Sequence, residues 1–488
     1  MSTESADAGI DGTEVVHAPS DTAQLRHAFD AGVTRPLRWR RRQLRAIRRL
    51  LLENRSEIEA ALRNDLGKHA AEAAITETGI VLGEIAHAEK HLRRWARPRR
   101  VSLPLVLAPA SGRVVAEPLG VVLVIGPWNY PLQLMLGPLV GAIAAGNAAV
   151  LKPSEIAAAT AETLARLVPR YLDPRAVAVA QGGAETTGRL LEQRFDHVFF
   201  TGSERVGTLV AQAAARTLTP VTLELGGKSP VYVDGTVDLA AAARRIMWGK
   251  LLNAGQTCVA PDYLLATPET ARALLPHLER AVHEMYGADP ELSEDYGRII
   301  TTGHAERLAR LLQGQQPAFG GGVAAERRYA APTVIDGTDP ESPLMQEEIF
   351  GPILPIVHVR SADDARAFIR RRPKPLSAYV FTDDRRVRRA FLEQTSSGAL
   401  AFGVPAAHLS APNLPFGGVG PSGIGGYHGE RSFTAFSHLK SVLDKPLKPD
   451  TLRLVYPPYR GAATALIVRL MTGAPRRRGA RARPTRPE

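Results

Sequence analysis

A chain of 488 residues, 44% hydrophobic and 23% charged, has room for two or three domains with buried cores and is not the composition of a disordered protein. Its single cysteine excludes an intrachain disulfide and a Cys-rich zinc site, so no metal is expected and a reducing cytoplasm fits. The net charge of +12 raises nucleic acid as a partner, but much of it lies in two arginine clusters without a zinc-finger, RNP-type or basic-zipper pattern, and that partner is set aside.

In chain order, Met1 to about Asp21 is polar and acidic, has no apolar core of a secretory signal, and reads as a mobile tail. Arg35 to Arg49 holds eight arginines interleaved with Leu37, Trp39, Leu44 and Ile47, the pattern of an amphipathic helix. Val121 to Ile125 is a strand apolar on both faces, stopped by Gly126-Pro127, and Trp128 to Pro131 is a loop. Leu132 to Leu151 is as long as a membrane span, but Gln133, Pro138 and Asn147 interrupt it, so it reads as a buried helix followed by a strand at Ala148 to Leu151. A helix over Thr160 to Tyr171, strands at Ala176 to Val179 and His197 to Phe200, and a helix over Thr208 to Arg216 follow. This alternation is that of βαβ units on a parallel sheet. Beyond Gly227, a strand at Ser229 to Val233 and a helix over Leu239 to Leu252 lead to the Cys258 loop. Near the end, Ala462 to Met471 is about half a span in length, carries Arg469 and precedes six arginines from Arg476 to Arg486, a pattern compatible with lying on an anionic membrane surface.

Ligands of doubly wound sheets bind beyond the carboxyl ends of the strands, which predicts that Trp128-Asn129, Lys152-Pro153-Ser154-Glu155 and Thr201-Gly202-Ser203 share one rim. Gly202 to Gly207 joins a strand to a helix, whose free N–H groups suit a pyrophosphate. Gly418 to Gly423 matches G-x-G-x-x-G without a strand leading in, and reads as a loop. Gly226 to Ser229 resembles the end of a P-loop, but Thr222 stands where the first glycine belongs. Cys258 beside a carboxylate, Glu224, suggests covalent catalysis: a thiolate attacks a carbonyl carbon, and a glutamate later activates the water that releases the acyl group.

Seven segments occur in the order seen in the aldehyde dehydrogenase superfamily: Trp128 to Pro131, Lys152 to Glu155, Phe200 to Ser203, Glu224 to Lys228, Gly255 to Cys258, Glu348 to Pro352 and Pro415 to Gly418. Leu218 to Thr222, Cys258 to Tyr263 and Tyr427-His428-Gly429 resemble its class 3 branch, which includes fatty and aromatic aldehyde dehydrogenases. The resemblance covers roughly residues 22 to 445.

It implies an α/β fold with a Rossmann-type cofactor domain (22–96 and 118–225), an α/β catalytic domain (226–400) and a small β oligomerisation arm (97–117 and 401–445), flanked by the tail 1–21 and a basic extension 446–488. Within the arm, Val101 to Leu107 and Arg113 to Ala116 would be the two strands of the hairpin. By the same resemblance, Cys258 is the nucleophile, Asn129 and the Cys258 N–H hold the oxyanion, and Glu224 is the base for deacylation. Trp128, Lys152, Glu155, Gly202, Ser203, Gly207, Glu348, Phe350 and Phe416 bind the cofactor. The Glu155 carboxylate favours NAD, with NADP also admissible. The implied reaction oxidises a medium or long aliphatic, or aromatic, aldehyde to its acid in a homodimer. The alternative is a Cys-dependent esterase or acyl transferase that needs no dinucleotide.

Overall fold

The computed structural model describes residues 22–459 and 461–473; the tail expected over residues 1–21 and the arginines from Arg476 onward lie outside them. The chain divides into two compact units, residues 1–95 with 117–438, and residues 96–116 with 439–488.

The smaller unit contains an antiparallel hairpin of β1 (Arg99–Val101) and β2 (Ser111–Pro118), with Arg100 opposite Arg113. The strand expected over Val101 to Leu107 is therefore displaced towards the N-terminus. Pro104 has no N–H to donate to a ladder, and Leu105–Leu107 closes into a short 3-10 turn instead.

In the larger unit, β3 (Val121–Ile125), β4 (Ala148–Lys152), β5 (Val177–Val179), β6 (His197–Thr201) and β7 (Val221–Glu224) are parallel, in the order β7-β6-β3-β4-β5. Every residue of β3, β4 and β6 is buried, which is why these strands read as continuous apolar runs rather than alternating ones. All thirteen residues of the helix Gln133–Ala145 are buried too, so the stretch of membrane-span length is a core helix. The arginine-rich stretch forms the helix Leu37–Glu53, with Trp39, Leu44, Ile47 and Leu50 on its buried face.

A second sheet contains β8 (Pro230–Val233) and β9 (Tyr263–Ala266). After a short ribbon of β10 (Val323–Ala324) and β11 (Tyr329–Ala330), it continues with β12 (Thr333–Ile335), β13 (Ile353–His358), β14 (Ser377–Phe381) and β15 (Ala399–Phe402). Its order is β12-β13-β9-β8-β14-β15, and every pairing in it is parallel. The Gly418 to Gly423 loop ends in β16 (Gly423–Ile424), which runs antiparallel to β7 with Gly423 opposite Glu224. A Cβ on Gly423 would stand 2.4 Å from the Leu223 carbonyl oxygen, so the close pairing requires glycine. Of residues 401–445, those from 401 to 438 belong to the larger unit, and β17 (Ser437–Asp444) joins the small sheet beside β2.

Among the described residues, no helix is long and apolar enough to cross a membrane. The helix Ala462–Thr472 leaves Leu466, Val468, Leu470 and Met471 exposed.

Candidate active site

Strand register brings the expected residues to one edge. Ile125 lies beside both Lys152 and Phe200, and Thr201 lies beside Glu224, so the loops after β3, β4 and β6 and the end of β7 leave the first sheet together. Residues 225–229 alone connect β7 to β8. That short link presents the amino edge of the second sheet to the carboxyl edge of the first, within the same unit. Cys258 enters the second sheet five residues before β9, and Glu348 five before β13.

The Cys258 loop is held in an uncommon backbone conformation. Asn253 and Ala254 have φ of 54° and 52°, in the left-handed region, and Gly255 follows at 79°. A Cβ on Gly255 would lie 2.2 Å from the Gly351 carbonyl oxygen. Gln256 is wholly buried: its amide nitrogen donates to the carbonyls of Asn253 (2.9 Å) and Arg298 (3.0 Å), and its Oε1 accepts from the Ile300 N–H (2.9 Å). The loop thereby delivers Cys258, partly exposed, with its backbone fixed.

Glu224 is 1% exposed and its carboxyl interacts with the Cys258 thiol, with no other hydrogen-bond partner among the described residues. Burial pushes its pKa up to about 8. Burial also pushes the Cys258 thiol well up, and the nearby Glu224 and Glu348 carboxylates add to the rise. Glu348 too is held at about 8, mainly by burial. The structure thus brings one thiol and two carboxyl groups together where two charges at once are unfavourable, an arrangement suited to passing protons rather than storing charge.

Asn129 is buried, and its Nδ2 donates to the Gln256 carbonyl (3.0 Å), leaving the second amide hydrogen for another acceptor. Trp128 meets Phe350 edge to face, with ring centroids 5.3 Å apart. Lys152 is buried at the end of β4 and donates to the Pro153 carbonyl (2.8 Å) and the exposed Glu155 (3.3 Å). Ser203 caps the helix Glu204–Ala215 by accepting from the Val206 N–H, and Gly202 and Gly207 lie against Phe200 and Leu225 so closely that a Cβ on either would come within 2.6 Å of those side chains. Open N–H groups at a helix start, reached over bare glycine, fit a dinucleotide diphosphate. Gly226 is pressed against the Glu348 carboxylate, where a Cβ would fall 2.1 Å from Oε2. Phe416 is buried in an aromatic group with His408, Tyr427 and His428, and Tyr427, whose pKa burial raises, lies close enough to Glu224 and Cys258 for their charges to add to the rise.

Several residues of the site escaped the sequence reading. The Lys228 ammonium pairs with Asp262 and donates to the carbonyls of Leu344 (2.7 Å) and Glu347 (2.9 Å), while Asp262 accepts from the Ile349 N–H (3.0 Å). Together they pin the segment that carries Glu348. Lys250 is wholly buried with no partner at Nζ, and burial lowers it to about 8. Lys68 and Glu77 form a fully buried ion pair beside Asn129. Lys228 and Asp262 both lie within quoted motifs, and their facing charges were the available signal. Glu77 and Lys250 sit in helical patterns that carry none, and Lys68 in the short link 67–69 between two helices.

Residues 11–442 match the model of the aldehyde dehydrogenase family. The chain is 47% identical to the rat protein named aldehyde dehydrogenase, dimeric NADP-preferring, over 90% of this chain and 97% of that one. It is 48% identical to mouse aldehyde dehydrogenase family 3 member A2, over 89% and 90%. A solved structure described as the substrate-bound state of Staphylococcus aureus AldH superposes with a TM-score of 0.89 at 43% identity, covering 92% of this chain and 98% of that one.

Proposed function

This chain belongs to the aldehyde dehydrogenase family and oxidises aldehydes with NAD or NADP, and we propose that Cys258, Asn129 and Glu224 carry the chemistry. One observation supports this reading most strongly: a buried carboxyl facing the thiol, a strained cysteine loop and a buried amide converge where the edges of the two sheets meet.

The Cys258 thiol gives its proton to solvent and the sulfur adds to the aldehyde carbon, forming a thiohemiacetal whose oxyanion is met by the Asn129 amide and the Cys258 N–H. A dinucleotide, when bound, would supply the hydride acceptor that allows the carbonyl to re-form. Cys258 is left as a thioester. Glu224 takes a proton from water, hydroxide adds to the thioester carbon, and the acid leaves as the thiol is restored. The buried, high-pKa carboxyl suits this role, because it gains a proton readily and ionises only near pH 8.

For the cofactor, Gly202 and Ser203 would contact the diphosphate at the start of the helix Glu204–Ala215, where the Gly202 N–H itself donates to the Glu224 carbonyl (3.1 Å) and open N–H groups of the first helical turn would do the holding, with Gly207 keeping the helix close. Lys152 and Glu155 would meet the adenosine ribose and Glu348 the nicotinamide ribose, while Trp128, Phe350 and Phe416 line the ring site. Glu155 favours NAD by charge, and the NADP-preferring rat relative supports acceptance of both. Gly226→Ala tests the Glu348 assignment. Displacing that carboxylate is expected to raise the dinucleotide KM by roughly 10-fold or more; an unchanged KM contradicts the assignment.

The substrate class is a medium or long aliphatic, or aromatic, aldehyde. A panel of such aldehydes with NAD and NADP in parallel, followed by absorbance of the reduced cofactor, ranks both; turnover restricted to short aldehydes contradicts the class. The word "dimeric" in the rat relative's name supports a homodimer, with the small β unit as its oligomerisation arm. A cytoplasmic enzyme in peripheral contact with anionic membrane accounts for the exposed Leu466, Val468, Leu470 and Met471 around Arg469. Deleting residues 461–488 is expected to reduce co-sedimentation with anionic vesicles; equal sedimentation contradicts that contact.

A further inference from the structure

Lys68 and Glu77 are both 0% exposed, and Lys68 Nζ lies 2.5 Å from Glu77 Oε1. A buried ion pair is weak support for stability, since desolvation consumes much of the attraction. Its geometry has another use. Lys68 Nζ also donates to the Asn129 carbonyl (3.1 Å) and stands 3.9 Å above the Tyr130 ring. Glu77 Oε2 accepts from the N–H groups of Leu132 (3.1 Å) and Gln133 (2.9 Å), which begin the helix Gln133–Ala145 and have no partner within it. Tyr130 reaches Thr257, the residue before Cys258, by a 2.7 Å hydrogen bond between hydroxyls. The Asn129 carbonyl takes its second donor from the Asn253 amide (2.8 Å) at the base of the cysteine loop.

Glu77 is presented by an irregular turn. Ala74–Thr78 is a π-helix, closed by the Gly79 N–H donating to the Ala74 carbonyl. A Cβ on Gly79 would lie 2.6 Å from that oxygen, so glycine is needed to close it. Wide turns of this kind occur often at functional sites.

We infer that Lys68 and Glu77 are a positioning pair: they hold residues 129–133 so that the Asn129 amide, and through Tyr130 and Thr257 the Cys258 N–H, meet the oxyanion together. The inference rests on the oxyanion role proposed for Asn129. Neither residue touches substrate, so the expected effect is on kcat and not on dinucleotide affinity.

The test is a double-mutant cycle on the full chain with Glu77→Gln, which keeps side-chain volume, and Asn129→Ala. Asn129→Ala alone is expected to lower kcat by about 10²- to 10³-fold. Glu77→Gln alone is expected to lower kcat by roughly 10-fold or more, with the dissociation constant for NAD, read by protein fluorescence, within about twofold. In the Asn129→Ala background the Glu77→Gln loss should shrink to about threefold or less, because the group it positions is gone. Equal losses in both backgrounds, or a parallel loss of NAD binding, overturn the positioning role. If Asn129→Ala leaves kcat intact, the oxyanion reading itself fails, and the inference with it. Should Glu77→Gln not fold, Lys68→Met replaces it in the cycle; loss of the fold in both variants overturns the inference in favour of a purely structural pair.

Discussion

Cys258→Ala is expected to lower aldehyde-dependent formation of reduced cofactor by at least roughly 10⁴-fold, because removal of a covalent nucleophile leaves only the binding and electrostatic contributions of the site. Dinucleotide affinity should stay within about twofold. The loop around Cys258 is held by Asn253, Gln256 and the Gly255 contact rather than by sulfur, so the change removes the nucleophile and spares its surroundings. Removing the thiol also takes away a group whose titration is coupled to Glu224 and Glu348. Turnover that survives the substitution would eliminate the thioester route. Ester hydrolysis lost in parallel, yet independent of dinucleotide in the native protein, would show a thiol able to transfer acyl groups without oxidation.

Glu224→Gln is expected to slow steady-state turnover by about 10²- to 10⁴-fold while leaving the first turnover fast. Hydride departs before the base is needed, so the variant should release a burst of reduced cofactor approaching one equivalent per site and then stall as the thioester. The native enzyme should show deacylation that rises with pH through about 8, where the buried carboxyl ionises. That limb should vanish in the variant. The same carboxyl affects stability with a definite sign. Its ordinary value of 4.5 is raised to about 8 in the folded protein, so folding favours the protonated form. Stability from this group is fully present below pH 4.5 and is lost as pH rises towards 8. The Tm of Glu224→Gln minus that of the native protein should therefore grow between pH 5 and 8, and a constant difference would contradict a buried, raised carboxyl.

The parts of this fold legible in the sequence were those with a strong local signature. Strands such as β3 and β6 are apolar on both faces and flanked by Gly or Asp, and the core helix Gln133–Ala145 is interrupted by Pro138 in a way a membrane span rarely is. The β1–β2 hairpin was misplaced because Val101, Leu103, Leu105 and Leu107 alternate like a strand, while Pro104 ends the ladder. β16 was hidden because a strand of two residues, Gly423 and Ile424, carries no periodicity, and only the approach of Leu223 and Glu224 gives it a partner.

For the candidate site, ordered motifs located Asn129, Lys152, Gly202, Glu224, Cys258 and Glu348 because each is tied to a turn or strand end. The supports behind them were not legible. Lys68 and Glu77 are separated from Asn129 by more than fifty residues, and a lysine in an interhelical link and a glutamate nine residues on read as solvent-exposed charge. Phe416 was assigned by motif, and its burial with Tyr427 and His428 arises from long-range packing that no motif encodes.

The most direct test is the intact mass of Glu224→Gln mixed with a medium-chain aldehyde and NAD, followed by peptide mapping. The account predicts an added acyl group on the peptide containing Cys258, appearing only when both aldehyde and NAD are present and matching the burst of reduced cofactor in amount. A burst without any adduct on Cys258, or an adduct that forms equally well without dinucleotide, would contradict it.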